Sequence, residues 1–283
     1  MKERNAFRPL RRMLLTNDVG SKRFARRIGG IVRDPVEAYY RAIALWHERN
    51  EYERPPCTYR ADLDWRQRLC ATQDDHRWTI RLWADIAATL RSKGIDPGPE
   101  SYLGWNDADL AFAEAIRCLI RRLGAAKIVE TGVAHGVTSR VALEALNGRG
   151  HLWSIDYPPP DTPEVHKDIG AAVGSEARHQ WTLIFGSSQR RLPRLLRSIA
   201  PIDLFIHDSD HREFNTHFEM QLAWRALRPG GAMVIDDIDN SWAFHDFAQK
   251  VDAVVLVAEA EPVRPDTRRF NEKGLFGVLM KPA

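Results

Sequence analysis

Apolar residues first recur at helical spacing in Val36, Tyr39, Tyr40, Ile43 and Trp46, behind Asp34-Pro35, where proline suits a first helical turn. Arg54-Pro55-Pro56 closes that stretch. A second amphipathic run over about 76–91 sets Trp78, Leu82, Trp83, Ile86 and Leu90 on one face, and Asp96-Pro97-Gly98-Pro99 then reads as a linker. Beyond it the period changes. Asn106 or Asp107 can cap a helix with the stripe Leu110, Phe112, Ile116, Leu119 and Ile120. Short apolar strands follow at 127–130, 151–156, 181–185, 203–207 and 232–236, with helix-competent segments such as 139–146 and 213–227 between them. Arg228-Pro229-Gly230-Gly231 stops the last of these helices, and 253–258 and 275–281 supply two more strands. Strands alternating with helices imply an α/β fold. The expectation is a Rossmann-like, seven-stranded, mostly parallel sheet flanked by helices, with residues 1–100 as a helical N-terminal extension or cap and 101–283 as the sheet domain.

Composition refines this picture without redirecting it. A chain that is 44% hydrophobic and 28% charged fits a globular protein. A formal net charge of +3 is too mild to point to nucleic acid. The first 33 residues are locally basic, with Lys2, Arg4, Arg8, Arg11, Arg12, Lys22, Arg23, Arg26, Arg27 and Arg33 against Glu3 and Asp18, and read as a solvated leader, with contact to an anionic membrane or polymer as the alternative. Cys57, Cys70 and Cys118 are odd in number and lack a C-x-x-C pair, so free thiols in a reducing compartment are expected. No apolar run approaches the ~18 to 20 residues that span a bilayer, and Met13-Leu14-Leu15 is too short for a secretory core. These features set a cytoplasmic protein without a transmembrane segment as the expectation. Trp46, Trp65, Trp78 and Trp83 read as packing residues, with a carbohydrate platform as the alternative.

Candidate chemistry gathers at the predicted strand ends, where open α/β sheets bind ligands. The turn Glu130-Thr131-Gly132-Val133-Ala134-His135-Gly136 leaves the first strand and enters a helix, and its glycines permit positive φ. Asp156 closes the next strand, where a carboxylate can accept from both hydroxyls of a ribose. A dinucleotide fingerprint would read G-x-G-x-x-G; here the pattern is E-x-G-x-A-x-G. An acidic residue beside the turn suits an ammonium and a sulfonium better than a pyrophosphate, which favours S-adenosyl-L-methionine. The fourth strand ends in His207-Asp208-Ser209-Asp210-His211 and the fifth in Asp236-Asp237. Packed carboxylates repel unless a cation or a proton intervenes, and Asp208, Asp236 and Asp237 have the donor chemistry of a magnesium site. His211 is the candidate base for an acceptor hydroxyl, with a helix-entry role as the alternative, while His207 is read as structural.

The ordered motifs at 128–139, 154–156, 186–193, 203–211, 227–231 and 236–240 together resemble methyltransferase family 24, a bacterial class I methyltransferase group, over about 102–250. That resemblance implies a seven-stranded catalytic domain and a cofactor set of Glu130, Gly132, Ala134, Gly136, Ser139, Asp156, Gly186, Ser187, Ser188 and Asp208, with Gly186, Ser187 and Ser188 near the adenine. Through related metal-dependent O-methyltransferases it implies Mg2+ on Asp208, Asp236 and Asp237, His211 and Asp208 as catalytic residues, and a small-molecule or saccharide acceptor. A homodimer is compatible with it. Arg212-Glu213-Phe214 departs from the family's usual Ser-Tyr-Glu and leaves the acceptor open, with Trp242 as the aromatic nearest to hand and Trp105 as a cover or a lid anchor. The competing readings are a metal-independent methyltransferase, an NAD-dependent oxidoreductase on the same scaffold, and a non-catalytic cofactor-binding scaffold.

Overall fold

A computed structural model describes residues 34–50, 59–70, 72, 74–95, 109–157, 166–259 and 274–283. Its centre is a seven-stranded sheet of β1 (Lys127–Thr131), β2 (His151–Asp156), β3 (Trp181–Phe185), β4 (Ile202–His207), β5 (Leu227–Ile235), β6 (Val254–Glu259) and β7 (Leu275–Met280), in the order β3-β2-β1-β4-β5-β7-β6. Strands β1 to β5 pair in parallel, and β7 runs antiparallel between β5 and β6. Side chains alternate across the sheet: Ile128, Leu204, Ile206 and Val234 feed one core, and Val129, Phe205, Met233 and Ile235 feed the other. Because both faces are covered, the strands read as continuous apolar runs. The seven-stranded, mostly parallel Rossmann-like arrangement inferred from the alternation is the one found.

Eight α-helices complete the described residues: α1 (Pro35–Asn50), α2 (Trp65–Leu69), α3 (Asp74–Ser92), α4 (Leu110–Leu123), α5 (Val137–Leu146), α6 (Ser188–Ile199), α7 (Glu213–Ala226) and α8 (Ala243–Ala248). Trp65 and Leu69 of α2 and Leu82, Ile86 and Leu90 of α3 share one core with α4, α5 and their sheet face. Helices α6, α7 and α8 cover the other face. Helix α4 starts after Asp109 and stops at Gly124, which takes the left-handed conformation at φ 56°. The expected cap at Asn106 or Asp107, the breaks at 54–56 and 96–99, the basic leader, Cys57 and Trp105 lie outside the described residues. Residues 228–231 do end α7, yet they belong to β5, which begins at Leu227 beside a register shift between Ile202 and Leu204.

Two expectations are corrected. Cys70 and Cys118 are not free thiols; they form a disulfide with a Cα–Cα distance of 4.7 Å. Cys70 ends α2 and Cys118 sits within α4, and the packing of those helices, which no sequence spacing encodes, brings the pair together. Helix α3 is tied to α4 by charge, with buried Asp75 accepting from Arg117 Nε at 2.9 Å and Arg121 Nη1 at 2.5 Å. The second correction concerns α1. Part of its apolar stripe points outward, with Val36, Tyr39 and Trp46 at 49%, 63% and 61% exposure and Tyr40 and Ile43 half-buried, while Glu37 is 2% exposed. Trp46 is therefore not a core residue, whereas Trp65 is. Polar groups on α6 and the preceding turn draw the opposite face of α1 inward, and His47 stacks on Phe214 of α7 at 3.7 Å between ring centroids.

Candidate functional site

The turn after β1 is left-handed at Gly132 (φ 83°), Ala134 (φ 47°) and Gly136 (φ 83°). Gly132 is fixed by a close approach from inside the fold: a Cβ there would stand 1.8 Å from the backbone oxygen of Asp208. At Gly136 it would meet the Cα of Gly170 at 2.8 Å. Asp156, at the end of β2, braces the turn, since its Oδ2 accepts from the amides of Val133 at 3.0 Å and Ala134 at 2.9 Å. Burial raises its carboxyl above the usual range against the pull of those amides. Turn and acid therefore meet at the ends of β1 and β2.

Glu130 lies beneath this turn with no solvent exposure. Its Oε2 accepts from Ser139 and Ser154 Oγ, each at 2.6 Å, while its Oε1 is buried with no hydrogen-bond partner. Burial pushes the carboxyl up to about 7, with the serine hydroxyls opposing. A cation beside Oε1 would relieve that burden, so the residues fit a ligand bearing an ammonium. Ser139 thus acts on Glu130. Ser154 entered the sequence reading only as the start of the motif at 154–156, with no role; it pairs with Glu130 in the β1–β2 register, and aligning those strands from their ends could have given it one.

The next two strand ends carry the acidic set. His211 Nε2 stands 3.9 Å from Asp208 Oδ1 and 3.9 Å from Asp237 Oδ2, and the three side chains are 22%, 13% and 18% exposed. Burial lowers the His211 pKa below the ordinary imidazole value, with the Asp237 charge opposing, which favours the neutral ring. Asp237 is left-handed at φ 50° and opens a single 3-10 turn at Ile238–Asn240. Asp236 leaves β5 beside it, and burial followed by the charges of Asp237 and Asp109 raises its carboxyl well above the usual range. Among the described residues, no group of three or more His, Cys, Asp and Glu side chains stands where it could hold a metal ion.

Behind His211 lies a buried network that the sequence did not disclose. Glu219 Oε2 bonds His207 Nδ1 at 2.8 Å and accepts from Thr131 Oγ1 at 2.5 Å, and its Oε1 accepts from Ser209 and Asn215. Burial would raise the Glu219 carboxyl, but the His207 ring and these donors outweigh it and hold it low. The His207 and His211 rings meet edge to face at 5.4 Å, so Glu219 anchors the floor under the candidate base. Its only sequence signal is a helical offset from Asn215, which has no meaning until β4 is placed beside it.

The turn after β3 holds Gly186, Ser187 and Ser188. Ser188 Oγ donates to Asn215 Oδ1 at 3.1 Å, and Ser187 Oγ is buried without a hydrogen-bond partner. Trp242 stands edge to face with His245 at 4.8 Å, on the segment that follows Asp237.

Three comparisons bear on this arrangement. The profile of methyltransferase family 24, described as a methyltransferase domain, matches residues 129–238. A provisionally assigned O-methyltransferase of Mycobacteroides abscessus is 29% identical over 190 residues, covering 66% of this chain and 81% of that protein. Among solved structures, the Streptomyces achromogenes O-methyltransferase TomG, in complex with S-adenosylmethionine, superposes with a TM-score of 0.51 at 18% identity, covering 78% of this chain and 96% of its own. The Bacillus cereus O-methyltransferase, in complex with S-adenosylhomocysteine, gives 0.50 at 14% identity, with 76% and 94% covered. Among the described residues no helix is long and apolar enough to cross a membrane.

Proposed function

We propose that this chain, a class I S-adenosylmethionine-dependent methyltransferase, transfers the methyl group to a hydroxyl oxygen of a small-molecule or saccharide acceptor, with His211 as general base. The observation that carries this reading is the largely buried imidazole whose Nε2 lies equidistant, at 3.9 Å, from two carboxylates at the mouth of the sheet. The names of the similar proteins support oxygen as the acceptor atom.

The cofactor supplies an electrophilic methyl on a sulfonium. In this proposal Glu130 receives the ammonium, the turn from Gly132 through Ala134 to Gly136 lies along the methionine part, Asp156 serves the ribose, and Gly186, Ser187 and Ser188 flank the adenine. The acceptor oxygen forms a bond to the methyl carbon as the carbon–sulfur bond breaks, and its proton passes to His211 Nε2. Burial lowers the pKa of that ring, with the Asp237 charge opposing, which favours the neutral imidazole that a base requires. Asp208 and Asp237 then stabilise the imidazolium, and Trp242 borders the acceptor.

The donors for Mg2+ do not fit as they stand, because no three of them converge on one point among the described residues, and no step is routed through the ion. Magnesium therefore enters as one arm of the test. Purified protein would be supplied with methyl-labelled S-adenosylmethionine and a panel of hydroxylated acceptors, with and without chelator. Alkali-stable methyl ethers in both arms support the reading. Methylated amines, or no loss of turnover in His211→Asn, overturn it; activity lost on chelation and restored by Mg2+ would return Asp208, Asp236 and Asp237 to the role of ligands.

A further inference from the structure

Helix α1 turns its charge inward and an apolar side out. Asp34 and Glu37 pair with Arg190 of α6, and Arg41 donates to the Tyr157 carbonyl at 3.1 Å. Over residues 35–47 every exposed position is apolar or aromatic: Pro35, Val36, Tyr39, Ala42, Leu45 and Trp46. From Val36 to Trp46 this face runs about 15 Å along the helix. A surface helix ordinarily shows the reverse pattern, and a contiguous exposed apolar strip marks an interaction surface.

Two charged features bear on what meets it. Residues 1–33, which lead directly to α1, carry ten Lys and Arg against Glu3 and Asp18. Helix α6, on which α1 is docked through Arg190, holds four arginines and no acidic residue, with Arg194 and Arg197 exposed. Cationic chain beside an exposed Trp and Tyr is the complement of an anionic bilayer surface. Its phosphates attract Lys and Arg, and aromatic rings settle at headgroup level. A second copy of the chain would instead set like charges against each other. No helix of the described residues is long and apolar enough to cross a bilayer, so the contact lies in the interface plane. We propose that the outer face of α1, together with the basic segment 1–33, docks this protein on an anionic lipid surface, with Tyr39 and Trp46 as the inserted side chains. The docking is independent of the cofactor and acceptor placements above.

The full chain would be cosedimented with vesicles of equimolar phosphatidylcholine and phosphatidylglycerol, and with vesicles of phosphatidylcholine alone. A basic residue near an anionic surface contributes about fivefold to binding. The wild type is therefore expected to favour the anionic vesicles about tenfold or more, by a margin that shrinks as salt rises. Reversing Arg23, Arg26 and Arg27 to Glu should abolish that preference. Val36→Ser, Tyr39→Ser and Trp46→Ser combined should weaken vesicle binding about tenfold while the melting temperature holds, because all three side chains are exposed. Lipid brominated on its acyl chains should quench the tryptophan fluorescence of the wild type, and Trp46→Phe should remove that quenching. Binding to neither vesicle or equally to both, a preference that survives the Arg reversals, undiminished binding in the triple Ser variant, or quenching that persists in Trp46→Phe overturns the proposal. So does a dimer that dissociates in the triple Ser variant while vesicles stay unbound, which would give this face to a second copy.

Discussion

Glu130 gives the most direct handle on the proposed cofactor site, because burial, against the pull of the Ser139 and Ser154 hydroxyls, poises its carboxyl near neutrality. With a pKa of about 7, roughly three quarters of the molecules hold that proton at pH 6.5. An ammonium placed at the unpartnered Oε1 favours the ionised form and should lower the pKa by one to three units. Binding then expels the proton. Calorimetry of S-adenosylhomocysteine in buffers of different ionisation enthalpy should report release of about 0.7 proton at pH 6.5, and affinity should rise about eightfold from pH 6 to pH 7.5. Glu130→Gln should bind more weakly and without this pH dependence. The same elevation acts on stability. The folded chain keeps a proton that the unfolded chain loses, so this contribution is complete below about pH 4.5 and is lost as the pH rises through about 7, at a cost near 3 kcal/mol. Glu130→Gln should therefore flatten the urea-midpoint profile across that window. A binding enthalpy independent of buffer, with affinity flat across the window, would refute the assignment of Glu130 to the ammonium.

Three further outcomes are expected. His211→Asn should lower kcat by ~10²- to 10⁴-fold while S-adenosylhomocysteine affinity holds within about twofold, and wild-type kcat/KM should fall on the acid side only below about pH 6.5, since burial lowers the His211 pKa; a limb well above that value would assign the base elsewhere. Gly132→Ala puts a methyl 1.8 Å from the Asp208 oxygen, so the turn must move, and cofactor affinity and melting temperature should drop together; retention of both would mean that the turn is not pressed against β4. Denatured but unreduced protein should give one reactive thiol from the three cysteines, and Cys70→Ser should cost about 2–4 kcal/mol in urea melts without reductant; three thiols would rule out the Cys70–Cys118 bond.

What the sequence disclosed follows from the kind of pattern each part carries. The sheet was legible because strands buried on both faces must be apolar throughout, and the residues at their ends then fall at one edge by topology alone. Gly132, Asp156, Asp208, His211 and Asp237 were accordingly visible as a constellation before any coordinates. Contacts set by packing between distant elements left no such mark. Cys70 reaches Cys118, and Glu219 reaches His207, only after helices have docked. Helix α1 shows the limit most clearly, because its pattern was read correctly as a helix while Trp46, read as a packing residue, faces outward. Periodicity locates a stripe and leaves open what the helix meets. Here the partner is a polar turn presenting the Ser187 amide and Arg190, so the acidic stripe goes in and Val36, Tyr39 and Trp46 stay out. An amphipathic helix that buries its charged side implies that the surface beneath it is itself polar, and in this fold that surface stands at the carboxyl ends of β2 and β3.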